Sequence, residues 1–235
     1  MSILVSKTVA IMQPYFFPYA GYFRLFAAAD VFVVYDCVQF PRRGWVHRNQ
    51  LLDECGQARW LTLPLRKGDR DTTRIADLAF RSDARDAFFE QCGSFPAIKK
   101  ISEGGGALFR EIGDFDRSPV QYLVKTMQAV SEMLGISRPV VLSSELGIPA
   151  ELRAQDRIIT IAKRLGAERY INAPGGRALY EPKEFDRAGL QLGFLADYSG
   201  PHQSILQRLA FEPAADLAEE IQRTATVDWC SRAPS

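Results

Sequence analysis

The chain has 235 residues, 47% of them hydrophobic and 24% charged; 29 Lys and Arg against 28 Asp and Glu leave a net charge of +1. That length and balance suit a self-sufficient hydrophobic core and exclude wholesale disorder, a collagen-like fibre and a coiled coil. The near-neutral charge argues against nucleic acid as the main partner, and no apolar run approaches the length of a membrane span.

In chain order, Thr8 to Met12 (TVAIM) is predicted as a buried strand that ends before Pro14. An aromatic, Pro-rich loop follows, then a helix over Tyr22 to Ala29 and a second buried strand, Val31 to Tyr35. Strand, loop, helix, strand in so few residues is a βαβ unit, so the sheet is at least partly parallel. Gln39 to Gln50 is ambiguous; Trp60 to Leu65 reads as a strand, Thr73 to Phe80 as a possible further one, and Asp83 to Gln91 as a helix. Gly104 to Gly106 is a loop or helix break. Ser118 and Pro119 are the N-cap and first residue expected of a helix running to Leu134 and stopped by Gly135. Pro139 to Ser143 (strand), Asp156 to Leu165 (helix), Arg169 to Asn172 (strand) and Leu190 to Leu195 (strand) continue the alternation. Helices are expected at Ser204 to Ala210 and Pro213 to Arg223, then a frayed tail over Thr226 to Ser235 where only Trp229 could dock. The pattern predicts an α/β fold: a mostly parallel sheet with helices on both faces, Rossmann-like in its layering, with a C-terminal α/β half. One unit over residues 1–235 is expected, its best internal division near 104–119.

Four cysteines (Cys37, Cys55, Cys92, Cys230) form no CxxC pair and the two histidines lie far apart, so no metal site is expected. The opening segment has no secretory pattern, since Lys7 interrupts its apolar run; reduced thiols and a cytoplasmic location are the expectation.

Five stretches could carry chemistry. Gln13 to Tyr22 (QPYFFPYAGY) follows the first strand, where ligands bind in open α/β sheets, and eleven of the 26 aromatics fall between Tyr15 and Trp45. Those rings, Tyr19 among them, either pack the core or line a pocket for a sugar or base, and Gly21 would admit a ligand close to backbone. Asp36 and Gln39 follow the second strand; Asp36 is a general base or a loop anchor. Arg42, Arg43, Trp45, His47, Arg48 and Asn49 combine arginine forks suited to phosphate with a ring for stacking and a histidine for acid–base work, unless they form a solvated loop. Asn172 to Tyr180 (NAPGGRALY), with Pro174, Gly175 and Gly176, is a plain turn or an anion-binding nest; it matches neither the P-loop nor GxGxxG. His202 could supply acid–base function, although Ser204 beside it also reads as a helix cap. A Cys37–His47 nucleophile pair is a weaker possibility.

IMQPYFFPYAGYF, VFVVYDCVQFPRRGWVHRNQ, WLTLPL, YINAPGGRALY and PHQSIL together resemble the WbqC-like family, in matching order over nearly the whole chain. The resemblance implies a setting in bacterial O-antigen and surface-polysaccharide synthesis and transfer of glycine or another aminoacyl group to an amino sugar. It falls on Gln13, Pro14, Pro18, Gly21, Asp36, Gln39, Trp45, Arg48, Asn49, Pro64, Pro174, Gly175 and Gly176. Many relatives carry His at position 12, Asp at 37 and Asn at 47, which weakens a shared role for Cys37 and His47. In this reading Asp36, His47 or His202 deprotonates the amine, and Arg43 and Arg48 hold a diphosphate or the phosphopantetheine of a carrier-protein thioester. Backbone N–H groups near Gly21 or Gly175 stabilise the oxyanion. The expected partners are a small sugar substrate and an acyl carrier protein. The alternatives are an ATP- and Mg²⁺-dependent ligase or nucleotidyltransferase, and a nucleotide-sugar binding protein without turnover. The loops at 13–22, 36–49 and 172–177 are expected to line one cleft.

Overall fold

The computed structural model describes residues 6–69 and 71–231. β1 (Thr8–Met12), α1 (Ala20–Ala28) and β2 (Val31–Val34) form the expected βαβ unit. The chain then leaves the sheet for a hairpin, β3 (Arg48–Leu52) and β4 (Ala58–Thr62), and three helices, α2 (Ala84–Cys92), α3 (Pro96–Gly104) and α4 (Gly106–Gly113). α5 (Pro119–Met133) brings it back to β5 (Val140–Leu142). α6 (Ala154–Arg164), β6 (Arg169–Asn172), α7 (Pro182–Arg187), β7 (Gln191–Leu195), α8 (Ile205–Phe211), α9 (Ala214–Thr224) and β8 (Val227–Trp229) complete it.

The sheet order is β5-β2-β1-β6-β7-β8. The first five strands are parallel, and β8 runs antiparallel on β7. Period-two alternation divides each strand between two cores. Ala10, Phe32, Val34 and Ile171 face α1, α5, α8 and α9, through Phe23, Leu123, Leu206 and Leu217. Val9, Val33, Tyr170 and Phe194 face α6 and α7, through Ile158, Ile161 and Phe185. Helices therefore cover both faces, which accounts for strands that read as continuous apolar runs.

Local sequence explains the boundaries. Ser118 Oγ accepts from Gln121 N while Gln121 Oε1 accepts from Ser118 N, a capping box that starts α5 at Pro119. Gly135 and Gly166, at φ +63° and +65°, end α5 and α6 in the left-handed conformation glycine tolerates.

Three expectations are corrected. Thr73 to Phe80 is no strand: it holds a short 3₁₀ turn, Ile75–Asp77, tied at its ends by single bridges, Gln39 to Arg74 and Leu65 to Phe80. Second, the ambiguous basic stretch ends in a real strand, β3, because Asn49 and Leu51 point inward and pair with Leu61 and Arg59 of β4. Third, the tail docks over Val227–Trp229 as β8; its last residues, 232–235, lie outside the described chain. Gly193 makes room for it, since a Cβ there would lie 2.6 Å from the Trp229 ring. No helix among the described residues is long and apolar enough to cross a membrane.

Candidate functional site at the carboxyl edge of the sheet

Because β1, β2, β5, β6 and β7 are parallel, the loops after them open at one edge. The chain winds outward from β1 to β2 and β5, then returns across β1 to add β6 and β7. The reversal between β1 and β6 is the topological switch point, where open α/β sheets leave a crevice. A cavity of about 490 Å³ lies there, walled by Tyr15, Tyr19, Tyr198, His202, Pro174 and Gly175. His202 stacks on Tyr19 with ring centroids 4.7 Å apart and meets Tyr198 edge-on at 5.6 Å. Asp197 is exposed at the rim.

Arg24 of α1 also lines this cavity, yet its side chain is only 1% exposed. Its Nη2 donates to Ala196 O, its guanidinium lies 5.4 Å from the Tyr198 ring centre, and its Nε has no partner. It enters none of the ion pairs among the described residues. Burial pushes its pKa below the usual arginine value, an effect the Tyr19, Tyr198 and Asp197 side chains oppose. An enclosed cation that enters no ion pair among the described residues, with the exposed Asp197 as the carboxylate acting on it, suits an anionic ligand.

The glycines act differently from expectation. A Cβ on Gly21 would lie 2.2 Å from Tyr19 Cε2 and 2.8 Å from Tyr198 Cδ1, so Gly21 admits the pocket's own rings rather than a ligand. Gly175 faces open space, whereas a Cβ on Gly176 would meet Asn172 Nδ2 at 2.5 Å. The segment is a 3₁₀ helix, Pro174–Leu179, and Arg177 turns away to pair with Asp228 at 2.6 Å. Gln13 is half-buried, and its carbonyl accepts from Tyr22 Oη at 2.7 Å.

A second cavity of about 490 Å³ opens beyond β2 and β5, with Cys37, Gln39, Ser144, Arg74, Arg153 and Arg157 in its wall. Asp36 stands beside it, 1% exposed. Ser143 Oγ and Ser144 N both donate to Asp36 Oδ1 at 2.8 Å, and Ser144 Oγ donates to Oδ2 at 2.6 Å. The carboxylate thus clasps the end of β2 to the turn after β5. Cys37 Sγ lies 3.5 Å from Arg157 Nη1 and shares no cavity with His47.

The basic stretch does not converge on either pocket. The Arg48 guanidinium stacks on Trp60 at 4.2 Å, and its Nη2 donates to Arg43 O at 3.2 Å; Arg43 itself is exposed. Asn49 is buried and donates to Phe16 O at 3.0 Å and Phe17 O at 2.6 Å. It clamps the aromatic loop at Phe17, whose φ of +45° is uncommon for a residue with a side chain. His47 lines a separate cavity; burial, then Arg48, pushes its pKa down to about 4. Trp45 borders a smaller hollow of about 300 Å³ that His202 also lines. The three loops therefore share an edge but are divided among neighbouring cavities.

The sequence profile of the WbqC-like protein family matches residues 13–214. The chain belongs to that family. It is also 26% identical over 225 residues, 91% of this chain and 92% of its counterpart, to the uncharacterized protein Rv1507c of Mycobacterium tuberculosis (strain ATCC 25618 / H37Rv). No solved structure matches significantly. The WbqC-like match takes in every residue of the switch-point pocket except Met12 at its base. Sequence reasoning missed Arg24, Asp197 and Tyr198. Arg24 carried a signal: it is the one charged residue in the run AGYFRLFAA, most of which is buried.

Proposed function

We propose that this WbqC-like protein transfers an acyl or aminoacyl group to the amine of a nucleotide-linked amino sugar, with the switch-point pocket as acceptor site. The observation that carries the reading is the buried Arg24, outside every ion pair among the described residues and with an unpartnered Nε, in a ring-walled cavity. A charged hydrogen bond from that guanidinium to a diphosphate or other anionic group would supply the counter-charge, and the Tyr19 ring would support the sugar. His202 lines both this pocket and the Trp45 hollow, which supports giving it the acid–base role. In this reading His202 takes a proton from the sugar ammonium. The amine attacks the acyl carbon of a thioester, the amide C–N bond forms, and the C–S bond breaks. The second proton of the attacking nitrogen passes to the departing thiolate, and the first leaves His202 for solvent. Asp36, with both oxygens engaged by the Ser143 and Ser144 donors, keeps the anchoring role instead.

Calorimetric titration with nucleotide-linked amino sugars tests the binding half, and mass spectrometry of the sugar after incubation with an acyl thioester tests the chemistry. Saturable binding and a mass gain equal to the acyl group are expected. A protein that binds no such sugar at millimolar concentration would end the proposal; binding without a mass gain would leave a nucleotide-sugar binding protein.

A further inference from the structure

A third cavity lies away from the switch point, where β4 leaves the hairpin. It encloses about 400 Å³ over an apolar floor that includes Phe40, Leu63, Leu65 and Leu78, with His47 in its wall. Its rim carries Arg42, Arg66, Lys67 and Arg81, and among the described residues no carboxylate lines it. These cations stand on a cross-linked backbone: Phe40 N donates to Thr73 O at 2.9 Å, Arg66 N to Ala79 O at 2.8 Å, and Arg81 N to Pro64 O at 3.0 Å. Leu63 N donates to His47 O at 2.8 Å. Arg81 is paired with Asp83, and Arg42 donates to Gly68 O with Asp69 nearby. Arg66 and Lys67 enter no ion pair among the described residues. Like charges gathered over an apolar floor repel one another, and an anion landing among them relieves that repulsion.

We propose that this cavity binds a phosphate ester, with the phosphate on the Arg66–Lys67 rim and the organic body on the apolar floor. The site shares no residue with the switch-point pocket, so it stands independently of the function proposed above. His47 is its built-in reporter. The charged groups around it are Arg42, Arg48, Arg66, Lys67 and Arg81, with Asp69 and Asp83 behind two of the arginines. Burial first, then the Arg48 charge, pushes the imidazole pKa down to about 4, and its buried Nδ1 has no partner. A bound dianion reverses the local field and makes protonation easier.

The chain has two histidines, one in each pocket, so imidazole NMR reads the two sites separately. The protein is titrated with pyrophosphate, uridine diphosphate and 4′-phosphopantetheine at fixed ionic strength. The His47 resonance should move saturably, and its titration midpoint should rise above about 4. In a variant carrying Arg66→Ala and Lys67→Ala, both exposed positions, binding should weaken at least about tenfold with the amide spectrum otherwise unchanged. The two organic ligands should bind more tightly than pyrophosphate; equal affinities would overturn the role given to the floor. A silent His47 at millimolar ligand would overturn the site itself. So would equal affinity in the double variant, or a movement reproduced by sodium chloride. Movement of His202 alone would support the switch-point reading and overturn this one.

Discussion

Replacing Arg24 by Met separates a functional cation from a structural one. In the empty protein Arg24 contributes a single hydrogen bond, to Ala196 O, and a contact with the Tyr198 ring. Those are worth about 1.5–3 kcal/mol for a charged hydrogen bond and about 0.5–2 kcal/mol for the cation–π contact. Against them stands the desolvation of a guanidinium with no ion-pair partner and an unpartnered Nε, a penalty of several kcal/mol. The two sides nearly cancel, and Met keeps most of the buried volume and apolar stem. Thermal unfolding of the ligand-free variant should therefore stay within about 4 °C of wild type, taking roughly 2–4 °C per kcal/mol for a chain of this size. Binding of a nucleotide-linked sugar should weaken by at least about tenfold, the loss of one charged hydrogen bond. Scanning fluorimetry of the empty protein and calorimetry of the complex, on one preparation, read both numbers. A variant that melts more than about 10 °C lower, with affinity intact in its folded fraction, would refute the reasoning and make Arg24 a structural tie to the loop after β7.

Other side chains give sharper structural outcomes. Asp36→Asn should lower the melting midpoint by roughly 3–12 °C, because a charged acceptor of the Ser143 and Ser144 donors is lost. An unchanged midpoint with lost turnover would return Asp36 to the chemistry as a base. Asn49→Ala should cost roughly 1–3 kcal/mol in urea unfolding, since the buried Phe16 carbonyl loses its donor; a cost under about 0.5 kcal/mol would show that the aromatic loop holds itself. For His47 the folded pKa of about 4 lies below the ordinary imidazole value of 6.5, so the unfolded chain binds the extra proton between those values. Its contribution to stability is therefore complete above about pH 6.5 and lost as the pH falls toward 4. The gap between wild type and His47→Gln in urea midpoint should accordingly change between pH 7 and pH 4.5; a constant gap would show that the imidazole titrates normally.

The fold was legible where burial on both sides forces a continuous apolar run. VFVV and TVAIM announce parallel strands because nothing polar can stand on either face. β3 was hidden because RNQLL places Asn49 inward, and the clamp that justifies a buried amide comes from Phe16 and Phe17, more than thirty residues back. β8 was hidden because VDW is too short to show a period; its place depends on the bare face of Gly193 across the sheet. The site was legible to the same depth. Loop positions after strands were readable, so Tyr19, Pro174 and Gly175 line one cavity at the sheet edge, together with His202. The Asp36 and Gly21 roles were not readable, because each is set by a side chain distant in sequence: Ser143 and Ser144 for one, Tyr198 for the other.

Two buried arginines show what separates scaffold from site in this chain. Arg208 is 6% exposed and meets Glu212 and Glu220 through hydrogen bonds of 2.8 Å, which drive its pKa well above the usual arginine value. Arg24 is more deeply enclosed, enters no ion pair among the described residues, and burial lowers its pKa although the Asp197 charge opposes this. Both guanidiniums lie near Tyr198, so the neighbourhood alone does not set their roles. What differs is whether the fold itself supplies the counter-charge. Where it does, as for Arg208, the group ties α8 to α9 and has nothing left to offer a ligand. Where it does not, folding alone leaves a charge out of water without compensation, a cost that an anion arriving from solution can offset. The same contrast sets Asp36 and Asn49, whose side chains are engaged by the fold, apart from His47, whose Nδ1 is not. By that criterion Arg24 and its rings are the groups proposed to face a ligand at the switch point, while Asp36 has both carboxylate oxygens engaged by Ser143 and Ser144.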